Sequence, residues 1–485
     1  MGAIVAAVSK KDENVVPKVI VMLEELIHRG IDAHGIAAPN LAIVAKSIEE
    51  LVSENVESGA ALGHNLSRIH LRDRPQPVQG EDFSLVFEGR LFPPPHVSEV
   101  DEVMKQLKPN PQRNAGYVIE RLNGSYAFAI AYPGMVLAGR DTMGTTPLYY
   151  GENEATCAIA SERKALWALG TRNVKSFPPG NLAVISAEGF SFKPVKTITR
   201  PPLESLEMET GTKRLQDLLL ESTRKRVSDV ERVAVAFSGG LDSSVVAVLA
   251  KMCGANVHLI SVGLEGQPEV RYAEAAAEAL GLPIRLQTYT MKDVSDVLPK
   301  VLWLIEEPDA VKAGVAIPIY WATEAASKLG CRVLLAGQGG DELFGGYRRY
   351  LEEYAQSGAS AVQDAMYRDV ALSYETNFQR DNKVCSFHKV ELRLPFADRE
   401  VTHFSLGLPL SLKIDSTTDP LRKRVLRRVA QSLDMPPFVV NKTKKAVQYA
   451  TGVDKALRRL ARGKRLTLRS MLKEVFRKVY PSVEL

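Results

Sequence analysis

The stretch VAVAFSGGLDSSVVAVLAK at 233–251 constrains the chain more than any other. Five apolar residues, Val233 to Phe237, run straight into Ser238-Gly239-Gly240, and a helix-like apolar pattern opens near Asp242. A buried strand must therefore stop and turn at once into a helix. Glycines let backbone come close to an anion, and a helix start offers free N–H groups with a positive dipole. Ser243 and Ser244 add hydroxyl donors. No GxxxxGK[ST] is present, so the loop lacks the lysine that grips a terminal phosphate in Walker-type sites.

Strands and helices alternate through this half of the chain. VERVAVAF is followed by the helix from Asp242, then NVHLISVG, a helix across 270–281, and CRVLLAG. Such alternation predicts a parallel sheet with helices on both faces. Before about Ser191 the pattern differs: short β-like runs such as SLVFEG, YAFAIAY and NLAVIS are separated by turn residues. ITRPPLESLEMETGT, with paired prolines, reads as the joint. The expected organisation is a first domain at 1–195, a linker at 196–211, a second domain at 212–452 and a basic tail at 453–485.

Charge is unevenly spread. From Asn441 onward there are 13 Lys/Arg against 3 Asp/Glu, whereas the whole chain is only +5. A basic end of this kind suits an anionic substrate, with nucleic acid a weaker fit and a solvated helix face the blander alternative. Hydrophobic content of 45% and charged content of 25% are those of an ordinary soluble protein, and no apolar run approaches a membrane span. Cys157, Cys253, Cys331 and Cys385 lie far apart with no CxxC pair, so buried thiols are expected. These features predict a cytoplasmic protein. Gly2 behind Met1 does not signal myristoylation, because the sixth residue is Ala6 rather than Ser or Thr.

SGGLDSS resembles the pyrophosphate loop of enzymes that split ATP to AMP and pyrophosphate. Within that group the chain resembles the asparagine synthetase family, through LLAGQGGDELFGGYRRY (334–350), VELRLPFADRE (390–400) and KTKKAVQYATG (442–452). The first half resembles the family's glutaminase domain in HRGIDAHG (28–35), GRDTMGTTPLYYG (139–151) and ASERKAL (160–166). The resemblance implies an N-terminal Ntn-hydrolase-like αββα sandwich. A C-terminal parallel-sheet α/β ATP-pyrophosphatase domain of Rossmann-like form follows it.

It also implies roles. Asp242 and Asp341 hold Mg²⁺ on the phosphates of ATP, a task that suits hard carboxylate oxygens. Phe237, Ser238, Gly239, Gly240, Ser243, Ser244, Val262, Ala336 and Gly337 contact the nucleotide. Lys444, Gln338 and Glu342 form the catalytic set, Lys444 neutralising phosphate charge, while Lys442 and Lys445 are expected to face solvent. Gln338 stands where some members carry a glutamate that handles the adenylate. Gln cannot act as a base, although it can hydrogen-bond an oxyanion or an amine.

Glutamine-using members begin with a cysteine nucleophile, and here that position holds Gly2. The family's NGE motif appears as FEGRLF, which places Glu88 and Gly89 at the oxyanion site, where a carboxylate would oppose developing negative charge. The expectation is a glutaminase fold without glutaminase chemistry. Gly2→Cys alone should not restore hydrolysis, and Gly2→Cys with Glu88→Asn has the better chance. The implied reaction joins a carboxylate, aspartate first, to ammonia supplied free or by a separate protein, in a chain that can form a homodimer. Two alternatives stand beside it. One is a related ligase using another carboxylate or amine, as β-lactam synthetases or transfer RNA modifiers do. The other is a binding protein with a dead first domain.

Overall fold

The structure, a computed structural model, describes residues 2–483. The chain forms two compact units, one up to Thr197 and one spanning Ile198–Pro481.

The first unit is layered helix, sheet, sheet, helix. Strand β1 (Gly2–Ser9) lies inside a seven-stranded sheet, next to β2 (Ala60–Leu66). Every residue of β1 up to Val8 is buried because both faces are covered. Ala3, Val5 and Ala7 pack with Val16, Val19 and Leu23 of helix α1 (Val16–Glu25). Their alternates Ile4, Ala6 and Val8 pack with Val86, Ala127 and Ala129 of a second, six-stranded sheet. The second sheet repeats this period of two in β3 (Ser84–Leu91), where Leu85 and Phe87 turn to Val100, Val103 and Val118 of the outer helices. A run of apolar residues without alternation is therefore the signature of a strand buried on both sides. This is the αββα sandwich.

The second unit holds a five-stranded, wholly parallel sheet. Its strands are β4 (Arg232–Ala236), β5 (Asn256–Leu264), β6 (Ile284–Tyr289), β7 (Val333–Leu335) and β8 (Glu391–Arg393), in the order β6-β5-β4-β7-β8. The chain leaves central β4 toward one edge and returns through β7 toward the other. That reversal opens a crevice beyond the carboxyl ends of β4 and β7, the usual ligand position in such sheets. Strands β6 and β8 escaped the sequence reading because both are short and only partly apolar.

The C-terminal segment departs from expectation. Residues 453–483 are no loose tail: α2 (Val453–Gly463) and α3 (Leu468–Val479) are amphipathic helices that bury Leu457, Ala461, Leu472 and Phe476. Their basic residues sit on the opposite faces, and Tyr480 Oη donates to the Trp303 carbonyl at 2.5 Å. Likewise the expected linker already contains the start of the helix Met208–Val227. Cys157, Cys331 and Cys385 are buried and Cys253 is half-buried, all four as free thiols. Among the described residues no helix is long and apolar enough to cross a membrane.

Candidate active site

The loop after β4 turns through Gly239, whose φ of +67° suits glycine and where a Cβ would lie 3.0 Å from the Tyr272 ring. Gly240 then caps the helix Leu241–Met252. The loop is braced internally: Gly240 N–H donates to Ser238 Oγ at 3.2 Å, and Ser243 Oγ donates to the Gly240 carbonyl at 3.1 Å. The loop after β7 passes so close that a Cβ on Gly337 would lie 2.8 Å from Asp242 Cβ, and one on Gly340 3.0 Å from Asp242 Cγ. Only glycine lets the second loop approach Asp242 this closely.

The approach brings Asp242 and Asp341 to one cation that the sequence reading missed. Lys423 Nζ donates to both Asp242 oxygens at 2.7 and 2.6 Å and lies 2.6 Å from Asp341 Oδ1. Lys444 Nζ pairs with Asp341 Oδ2. Burial works against the Asp341 charge, yet Lys423 and Lys444 hold its carboxyl well below the usual carboxylate range. Lys444 is itself pushed up: desolvation opposes its charge, and Asp341 and Asp242 more than offset that. Lys423 reaches the site from a backbone in the left-handed region, φ +54°, directly after Arg422 at +52°. Two successive non-glycine residues in that region cost on the order of 1–3 kcal/mol each and persist only when their surroundings hold them. Asp419 does so, its Oδ1 accepting from Leu421 and Arg422 N–H, both at 2.9 Å. In sequence, RKRVLRR reads simply as a charged helix face.

A cavity of about 280 Å³ opens beside this cluster. Phe237, Val262, Ala336 and Gly337 line it, as do Asp242, Asp341, Lys444 and Gln338. A smaller recess of about 60 Å³ continues to Ser238, Gly240, Ser243, Lys423, Arg427 and Lys442. Two expected nucleotide contacts do not face these spaces. Ser244 is fully buried in the helix packing, and Gly239 serves the turn. Glu342 also stands behind the wall. It is buried, accepting from Tyr347 Oη at 2.5 Å and Asn377 Nδ2 at 2.9 Å, and those two side chains line the cavity in its place. Burial first, and Asp341 beside it, raise the Glu342 carboxyl.

Lys442 and Lys445 are not free surface charges. The Lys442 ammonium lies 3.3 Å from the Tyr272 ring centroid and 3.4 Å from the Ser238 carbonyl oxygen. Burial pushes it down to about 8. Lys445 pairs with Glu269.

The expected glutaminase centre in the first unit is filled. Arg29 is buried and donates to the Gly2 carbonyl at 2.7 Å, to Glu88 at 2.6 Å and to Glu162 at 2.9 Å. Ser161 Oγ donates to the other Glu88 oxygen at 2.7 Å. The Glu88 charge is thus balanced and both its oxygens are committed, so it does not stand as the free repulsive carboxylate expected from sequence. Gly89, at φ +122°, lines a cavity of only about 20 Å³ with His64, Asp73 and Arg90, room for roughly one water. Burial holds the His64 imidazole neutral, pushed down to about 3. A Cβ on Gly2 would lie 1.9 Å from the Asn65 carbonyl oxygen.

The asparagine synthase family model matches residues 214–358 and 352–480, and a glutamine amidotransferase domain model matches 98–168. A Methanocaldococcus jannaschii protein, provisionally named asparagine synthetase 1 (glutamine-hydrolyzing), is 30% identical over 94% of this chain and 95% of its own. Asparagine synthetase B of Escherichia coli is 25% identical over 88% of this chain and 77% of its own. Among solved structures, the Bacillus subtilis glutamine phosphoribosylpyrophosphate amidotransferase aligns at a TM-score of 0.37 and 18% identity, covering 59% of this chain and 65% of that one. The chain belongs to the asparagine synthase family, ATP-dependent ligases that form carbon–nitrogen bonds.

Proposed function

We propose that the chain activates a carboxylate, with aspartate the first choice, as an acyl-adenylate and then transfers it to ammonia. The observation that carries this reading is the meeting of Asp242 and Asp341 around Lys423 and Lys444 at the crevice of the parallel sheet. Hard carboxylate oxygens suit a magnesium ion that takes its remaining ligands from phosphates and water, and Asp242 and Asp341 would hold one where Lys423 and Lys444 turn from them to the phosphates. Such an ion offsets charge on the leaving pyrophosphate. Phe237, Val262, Ala336 and Gly337 suit the nucleoside, while the SGG loop and the lysines suit the phosphates. Lys423 and Lys444 would take up negative charge as the α-phosphorus is attacked, and their ion pairs with the two aspartates keep them in place beforehand.

Ammonia, free or delivered by another protein, is the nitrogen source in this reading. Gly2 carries no nucleophile, and the space beside Gly89 is too small for glutamine. With ATP, Mg²⁺ and aspartate, the purified protein is expected to release AMP and pyrophosphate, with ammonium but not glutamine supporting amide formation. ADP and phosphate as products would mean the loop has been misread. Glutamate released from glutamine above a buffer control would refute the nitrogen assignment. Asp242→Asn should remove most activity, since it takes a carboxylate from the metal and a partner from Lys423.

A further inference from the structure

On the wall of the large cavity Gln338 pairs with Asp381 behind it, and the polarity of that pair fixes what the cavity presents. Gln338 lies in the loop after β7. Its Nε2 donates to Asp381 Oδ2 at 2.7 Å. Asp381 lies on the helix Gln379–Phe387, directly after a π-helical turn at Tyr374–Phe378. Such turns are rare and frequent at functional sites. The same turn carries Asn377, which lines the cavity.

Asp381 is 1% exposed and is held from behind by Arg380, Nε on Oδ1 at 2.7 Å and a terminal nitrogen on Oδ2 at 3.1 Å. Arg380 is fixed in turn by the Thr376 carbonyl at 3.0 Å. Both Asp381 oxygens are therefore occupied, and Asp381 is not among the residues lining the cavity, whereas Gln338 and Arg380 are. A carboxylate accepts only, so the Gln338 amide can meet it solely through its NH₂ end. The planar amide must then turn Oε1 away from Asp381. Among the described residues nothing donates to that oxygen.

We propose that Asp381 is a positioning residue: it locks the Gln338 amide so that Oε1 faces the cavity as an uncharged acceptor for an N–H of the attacking ammonia or amine. This rests on the amide-forming reading above and deepens it. An uncharged acceptor can hold neutral ammonia by one N–H and leave its lone pair free to attack. A carboxylate at the same point would favour ammonium, which has no lone pair.

The test separates the two half-reactions at fixed pH. Aspartate-dependent ATP–pyrophosphate exchange reports adenylation, and amide formation with varied ammonium reports the second step. Asp381→Asn lets the Gln338 amide sit either way round, because a carboxamide in place of the carboxylate can donate as well as accept. The expected result is an ammonium KM raised about threefold to tenfold, the weight of one neutral hydrogen bond, with exchange unchanged. Gln338→Leu, a change at a partly exposed residue that leaves Asp381 and Arg380 paired, should raise the ammonium KM similarly.

Gln338→Glu sets two carboxylates together and should impair amidation. Adding Asp381→Asn gives the introduced glutamate a donor and should recover part of that loss, while the charged acceptor left at position 338 keeps amidation below the wild-type rate. A raised ammonium KM with unchanged exchange is the readout that a merely structural role would not move. An unchanged ammonium KM in both Asp381→Asn and Gln338→Leu overturns the proposal. So does a loss of exchange that matches the loss of amidation, or a double variant no better than Gln338→Glu. If wild-type protein shows no aspartate-dependent exchange while another carboxylate does, the substrate assignment has failed, and the same series is run with that carboxylate.

Discussion

Lys444→Ala is expected to lower turnover by about 10²–10³, roughly 3–4 kcal/mol, with little loss of ATP binding. Lys444 Nζ stands on Asp341 between the smaller recess and the large cavity, where negative charge would develop in the proposed adenylation. A cation already placed there needs no reorganisation, so its loss falls on the transition state. Lys444→Arg keeps the charge but replaces a compact ammonium with a planar fork, and should recover only part of the rate. Lys445, paired with Glu269 at the rim, acts through screened attraction, and Lys445→Ala should shift apparent ATP affinity by a few-fold at most, an effect that added salt reproduces. Lys442→Ala is expected to differ from both. Its ammonium braces Tyr272 and the Ser238 carbonyl, so its loss should loosen the glycine loop and weaken ATP binding by an amount that salt does not mimic. Steady-state kinetics with the three alanine variants at low and high salt decide the matter. Three identical profiles would mean that the segment is merely a charged surface.

What could be read in the sequence follows from where the information resides. Strand β4, its glycine turn and the following helix were legible because they are local: an apolar run, a turn that needs glycine and a helical period lie within 19 residues. The GGDE motif was legible for the same reason. Lys423 was not, since its role comes from a left-handed backbone held by Asp419 and from two carboxylates that lie 181 and 82 positions away in the chain. The partner of Gln338 was hidden equally, because Asp381 comes from a different helix. Glu342 shows the converse. Its motif pointed to the site, but the helix turns its carboxylate behind Tyr347 and Asn377, which only packing decides. The basic C-terminal residues suggested a tail because charge dominates their composition. Leu457, Leu472 and Phe476, spaced on helical faces, mark the buried side of two helices.

The first unit yields the prediction in which structure most changes the expectation. Gly2→Cys with Glu88→Asn is expected to cost stability and to gain no glutaminase activity. A Cβ at position 2 meets the backbone oxygen of Asn65 at 1.9 Å, and that oxygen belongs to the neighbouring strand β2, so relief requires the sheet itself to move. Overpacking of this kind typically costs about 1–3 kcal/mol. Glu88→Asn compounds the loss. Its shorter side chain leaves one side of the Arg29 guanidinium without its counter-charge and removes the nearer of the two acceptors of Ser161, inside a fully buried network. Breaking a buried pair from one side costs about 3–5 kcal/mol. For a unit of this size the transition should fall by on the order of 10 °C. Glu88→Gln is the control, since it keeps the length and an acceptor for Arg29, and it should lose distinctly less. Calorimetry on the full chain, with glutamate release from glutamine measured alongside, reads both effects. A double variant that melts with the wild type and hydrolyses glutamine would show that the Arg29–Glu88–Ser161 network does not bar glutaminase chemistry. The expected outcome is that the Arg29–Glu88–Ser161 network behaves as part of the core and helps hold the sandwich together.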